Sequence, residues 1–207
     1  TPIMITQQRD IEIVEEALSG DSMIGLVLLN EEDIEDPTAE DLYEVGTVAR
    51  IVRKINLPDG GLNIFISTLK RFRIKKVFQS EHPIVVAAEY LEDDFESVDE
   101  DEMKALTRSL IQETKQVSEN NPLFSEEMRL NMVNIDNPGK IADFISSILN
   151  MGRREQQTIL ETLDVRERIE KVLVHIKKEQ ELMRIQKRIQ EQINEKIEKS
   201  QREYFLK

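Results

Sequence analysis

The chain has 207 residues, enough for one ordinary domain or two small ones with a sizeable core. At 39% apolar and 33% charged it is too apolar for a disordered segment, and apolar runs such as Ile84 to Ala88 fall far short of a membrane span of about 20 residues. The absence of cysteine excludes a disulfide framework, cysteine-ligated metal and a thiol nucleophile. The net charge of −13 is segregated: residues 1–100 carry 22 Asp/Glu against 9 Lys/Arg, whereas residues 101–207 carry 19 of each. A field of that sign repels phosphate backbones and anionic lipid, which disfavours nucleic acid and membrane as partners. No basic segment followed by an apolar one opens the chain, so no signal peptide is expected.

In chain order, the first element is a helix from about Asp10 to Ser19, with Ile11, Val14, Ala17 and Leu18 on one face and Gly20 closing it. Five runs then read as strands: Met23–Leu29, Val45–Ile55, Leu62–Leu69, Arg73–Phe78 and Ile84–Leu91. Val, Ile and Phe dominate them, as half-buried pleated positions prefer. Between Ile55 and Ile64, LPDGG is a hairpin signal, because Pro58 presets φ and Gly60 or Gly61 can take a positive φ. The acidic stretch Glu31–Glu44 reads as a loop with a short helical turn led by Pro37. Glu89–Glu102, with nine acids and no base, reads as a solvated linker. It lacks the mid-loop glycine and alternating ligands of a calcium loop.

Helical periodicity follows at about Glu102–Ser118, Ser125–Asn134, Pro138–Asn150 and Arg153–Thr162. Ser125, Asn137 before Pro138, and Asp164 with Glu167 supply the starts. From Val165 onward nothing breaks a helix, since no Gly or Pro occurs after Gly152. Ile169, Val172, Leu173, Ile176, Leu182 and Met183 give it a packed face. Ile185, Ile189, Ile193 and Ile197 then recur once per turn, a stripe too narrow for a core helix and suited to pairing with another helix. Glu195 with Lys199 and Glu198 with Arg202 support the exposed faces. The fold class is α+β, divided as a β domain with one helix (1–92), a helical bundle (93–164) and a long helix (165–207).

Catalytic motifs fail on inspection. Gly139-Lys140 precedes a helix, but Ile141 stands where a nucleotide loop needs Ser or Thr, and Asn134 replaces its leading glycine. Ser67-x-x-Lys70 lies in a strand, without the companions of a penicillin-binding site. His82 sits before Pro83 in a turn, and His175 is explained by Glu179 four residues on; two isolated histidines make neither a zinc set nor a triad. Residue chemistry therefore describes a binding or organising module with no catalytic residue, no metal site and no cofactor of its own.

The chain also resembles a known family, the N-terminal region of the bacterial ATP-dependent Lon protease. The likeness lies in Gly20–Leu28, Glu35–Ile51, the LPDGG turn with its strand to Leu69, and Arg71–Ile74; it continues in Asn134–Ile145, Glu161–Leu173 and Glu198–Lys207. These stretches keep the family's order across almost the whole chain. The resemblance implies a PUA-like β domain, a helical bundle and a long helix running toward an AAA+ ATPase module. It implies a cytoplasmic homo-hexamer in the intact enzyme, with this region recognising and holding unfolded or degron-bearing protein. The resemblance further implies that the ATP, magnesium and Ser-Lys dyad of such a serine endopeptidase belong to other modules, which the family carries past the position of Lys207. The family also usually carries a strand and a Phe-Pro-Gly turn upstream of the Thr1-Pro2-Ile3 position, so the expectation is either residues before Thr1 that complete the sheet or a lost strand and an open edge there. Apolar groups left at strand ends are the natural grip for clients: Pro2 and Ile3 at the start of the sheet, and Leu57 and Pro58 at the hairpin tip. The alternative reading makes the chain an assembly spacer, with its long helix pairing against other subunits. RNA binding is disfavoured by the acidity of the β half.

Overall fold

In a computed structural model, which describes residues 1–119 and 124–205, the chain divides into two compact units, Thr1–Asp93 and Asp94–Lys207. The fold is α+β. The first unit is a five-stranded antiparallel sheet with one helix: β1 (Pro2–Ile5), α1 (Gln8–Ser19), β2 (Met23–Leu26), β3 (Val45–Asn56), β4 (Leu62–Gln79) and β5 (Val85–Leu91). The order is β1-β4-β3-β2, and β5 pairs with the far half of β4. The LPDGG turn joins β3 to β4 with Gly60 at φ +89°, a conformation that costs glycine little. Asp59 Oδ1 accepts from the Gly61 N–H at 3.1 Å and the Leu57 N–H donates to Gly61 O at 2.8 Å.

Two predicted strands, 62–69 and 73–78, are one. The polar residues Lys70 and Arg71 between them pair with Glu92 and Asp93 while β4 stays paired with β3 and β5, the ladder to β3 shifting by one residue at Leu69. The Met23–Leu29 run leaves the sheet after Leu26. β1 is absent from the predicted runs, since four residues are too few for alternation to register. Its place is set by long-range pairing of Ile3 with Ile64 and Ile5 with Leu62. The core of this unit is one face of the sheet (Ala49, Ile51, Leu62, Ile64, Ile66) closed by Val14 of α1. Alternation puts these positions on the same side of their strands, and α1 covers them with its apolar stripe.

The second unit is all helix: α2 (Glu100–Glu119), α3 (Glu126–Val133), α4 (Pro138–Ile148), α5 (Arg153–Glu161) and α6 (Val165–Phe205). Their starts are chemically defined. Ser125 accepts from the Met128 N–H, Asn137 from the Lys140 N–H and Asp164 from the Glu167 N–H, each satisfying a donor the helix cannot. The acidic stretch ahead of α2 is more than a solvated tether. Asp99 caps α2 through the Glu102 N–H, and Asp94 exchanges backbone hydrogen bonds with Leu163 and Val165. Met103, Leu110 and Val117 of α2 meet Val165, Ile169, Val172 and Ile176 of α6 around Ile141, Ala142 and Ile145 of α4.

Inside this core lies Arg168, fully buried. Its Nε donates to Thr162 O at 2.8 Å, and its other nitrogens reach Leu163 O and the Asp143 carboxylate at 3.4–3.5 Å. His175 faces Glu155 of α5 at 4.0 Å rather than the predicted Glu179, because tertiary packing brings the α5 carboxylate closer to the imidazole. Leu182, predicted on the packed face, is half exposed; Met183 beside it packs on the core instead. The predicted continuation of the long helix over Leu206 and Lys207 lies outside the described residues.

Three carboxylates of this unit are held below their ordinary values. Glu113 is lowered by hydrogen bonds from Lys177 and then Gln180, Glu155 chiefly by the Gly152 N–H, and Asp164 chiefly by the Glu167 N–H. A depressed folded pKa contributes stability that is complete above the unfolded value and lost as pH falls through the folded one. The helical unit is therefore expected to keep a constant melting temperature from neutrality to about pH 5 and to weaken below it. Glu113→Gln should flatten that acid limb, measured by circular dichroism melts against pH; a limb of unchanged slope would remove Glu113 from the account.

Candidate functional site

The sheet has two faces, and only one is closed by α1. On the other, strand register places Pro2 and Met4 of β1 beside Phe65 and Asn63 of β4, and these beside Arg53 and Ile55 of β3. Met4 is 67% exposed, and Val52, the extra residue of a bulge between Ile51 and Arg53, is 62% exposed. Phe65 is half-buried, with the Arg53 guanidinium 5.9 Å from its ring centroid. The result is an apolar surface with the Arg53 cation against it, bounded by the hairpin tip. Such a surface can hold an apolar segment through burial and a cation–π contact, without forming or breaking a bond.

The residues singled out from sequence separate on this geometry. Pro2 lies on the open face opposite Phe65, and Pro58 is exposed at the hairpin tip. Leu57 is half-buried at the tip. Ile3 points to the other face, where it packs against the closed core opposite Ile64; period 2 sends neighbours on one strand to opposite sides. Met4, Val52, Ile55 and Phe65 were not legible as site residues. The signal was there in part: Leu62 to Ile66 is apolar at all but one position, so a strand with one face in the core necessarily exposes apolar groups on the other.

Ile185, Ile189, Ile193 and Ile197 form the expected stripe on the part of α6 beyond the bundle, each between 38% and 50% exposed. In the helical unit a further open apolar cavity of about 590 Å³ lies between the first turns of α2 and α4, lined by Phe95, Val98, Met103 and Pro138. Lys104 and Glu100 pair across its rim at 2.7 Å. The rejected motifs stand in structural roles. Lys70 is bonded to Glu92, and Gly139-Lys140 is the capped first turn of α4. Among the described residues no cluster of three or more His, Asp or Glu is placed to hold a metal ion, and no helix is long and apolar enough to cross a membrane.

Comparison with known proteins places this geometry in context. Residues 1–178 match the family described as the ATP-dependent protease La (LON) substrate-binding domain. The chain is 60% identical to a Lon protease of Treponema pallidum over 207 residues, all of this chain and 23% of that protein. It is 32% identical to the Lon protease of Escherichia coli over 205 residues, 99% of this chain and 26% of that protein. It thus spans about a quarter of the length of these relatives. Among solved structures, the N-terminal domain of a Mycobacterium avium complex Lon protease superposes with a TM-score of 0.63 at 18% identity, covering 86% of this chain and 89% of that one.

Proposed function

The chain belongs to the family of Lon substrate-binding domains, and from that premise we propose that it recognises and holds unfolded or degron-bearing protein segments on the open face of its sheet. The observation that carries this is the uncovered apolar surface of Pro2, Met4, Ile55 and Phe65, with Val52 at its bulge. Unfolded proteins share exposed apolar side chains, and a face of this kind takes them weakly and without sequence-specific readout. Weak sites become effective when several copies share one client, as a homo-hexamer in the bacterial cytoplasm would provide. The chain delivers the client and does not itself hydrolyse ATP or peptide bonds; those steps, with ATP and magnesium, fall to other modules of the intact protease.

The test uses this chain and a reduced, carboxymethylated unfolded protein. Met4→Ser with Ile55→Ser should weaken binding about tenfold, the equivalent of roughly 1.4 kcal/mol and within the range for one or two partly buried apolar contacts. The melting temperature should stay nearly constant, because both side chains lie away from the core. Unchanged binding, or binding and melting temperature falling together, would remove the open face from this role.

A second reading rests on the exposed isoleucine stripe of α6. Its four side chains gain nothing from the bundle and would be covered by a helix of another subunit. That pairing organises the assembly and is compatible with client binding.

A further inference from the structure

We infer that the free edge of β5 is a strand-addition site, where an extended segment of an unfolded polypeptide joins the sheet through main-chain hydrogen bonds. The inference rests on the reading that this chain binds polypeptide clients, and it names a second mode of grip, separate from the open sheet face.

β5 is bonded to β4 on one side and, among the described residues, makes no other backbone hydrogen bond. On its other side, alternate N–H and C=O groups from Val85 to Leu91 point outward without partners, and such groups are satisfied best by another strand. The edges at β1 and β2 are blunted, and the stretches of β3 after Ile51 and β4 after Ile74 that lack a second neighbouring strand carry bulges and the charges Arg53, Lys54, Lys75 and Lys76. β1 has four residues and contains Pro2, and β2 has four residues and contains Gly25. β5 runs for seven residues, VVAAEYL, with neither Gly nor Pro. Its one charge, Glu89, is neutralised by Lys75 of β4 at 3.2 Å. The register shifts of the β4–β5 ladder insert their extra residues, Lys75 and Phe78, on β4, so no bulge twists the free edge away. Apart from the paired Glu89, none of the usual devices that keep an edge from pairing is present on it.

The side chains suit a client of unspecified sequence. Ala87 and Ala88 at the centre of the strand are small and leave lateral room for larger neighbours. Val85 and Tyr90, 45% and 56% exposed, give an apolar contact near each end, on opposite faces of the strand. Main-chain recognition asks only that the client be extended, which is the property unfolded clients have in common.

The probe is an eight-residue peptide of alternating Thr and Val with a Lys at each end, prepared unmodified and in two versions N-methylated at alternate residues. Binding to the whole chain is read by fluorescence anisotropy, and hydrogen exchange of residues 85–91 is followed in parallel. Strand addition needs the amides of one alternating set and not the other. One N-methylated version should lose binding at least tenfold and the other stay within twofold, while every second amide of β5 exchanges more slowly. Equal binding of both versions overturns the inference and leaves the client reading intact. So does binding of the carboxymethylated protein with none of the peptide. Failure of every probe overturns both. Protection of β5 that rises with protein concentration in the absence of peptide, with a dimer on sedimentation, would make a second copy the occupant and also overturn it.

Discussion

Arg168→Ala is expected to cost the helical unit about 3–5 kcal/mol, the range seen when one partner of a buried charged network is removed. The guanidinium is fully buried at the start of α6 and bonds the backbone that links α5 to α6, through Thr162 O and Leu163 O, as well as the Asp143 carboxylate. Deleting it takes the guanidinium donor from Thr162 O, while Leu163 O keeps the Asp94 N–H, and opens a cavity in a packed core; both losses act in the same direction. Asp143→Asn should cost far less, since that side chain is one-third exposed and its oxygen lies 3.4 Å from the arginine, so water can replace much of the contact. Urea titration of the helical unit checks the pair. A loss below about 1 kcal/mol for Arg168→Ala would place it with ordinary surface substitutions and refute the anchoring role.

The second large effect lies in the sheet. Ile64→Ala should destabilise the first unit by about 2–5 kcal/mol, because truncation of a buried branched side chain loses its transfer energy and leaves a void. Ile64 is fully buried on the central strand, opposite Ile3, in the cluster that Val14 of α1 closes. Ile64→Val should cost only about 0.5–1.5 kcal/mol. Met4→Ala, one residue from Ile3 but on the open face, should fall within about 0.5 kcal/mol of zero. Thermal melts of the three variants test the assignment of faces directly. A Met4→Ala loss comparable to that of Ile64→Ala would mean that the open face is packed, and the candidate site would fall with it.

Much of the architecture was written locally. The change of period near residue 95, the glycine-bearing hairpin turn, the Ser125, Asn137 and Asp164 caps and the unbroken run after Val165 all act within a few residues. Chemistry of that range is legible in one sequence. The family likeness was carried by short ordered stretches of the same kind, and the match over residues 1–178 bears it out. The isoleucine stripe of α6 was legible too, since helical spacing alone puts those residues in line.

Other features depend on which distant segments meet. Nothing near Ile3 distinguishes it from Met4 as a site residue; the pairing of β1 with Leu62–Phe65 decides that one enters the core and the other faces out. Lys70 and Arg71 look like a strand break until Glu92 and Asp93 stand beside them. Arg168 reads as one more charge on an amphipathic helix, yet it is buried because carbonyls of the α5–α6 junction and a carboxylate of α4 converge on it. In each case the deciding partner is far along the chain or fixed by the packing of other elements. Composition and periodicity therefore determined the kinds of element and their order, while tertiary pairing decided which apolar groups entered the core and which were left exposed.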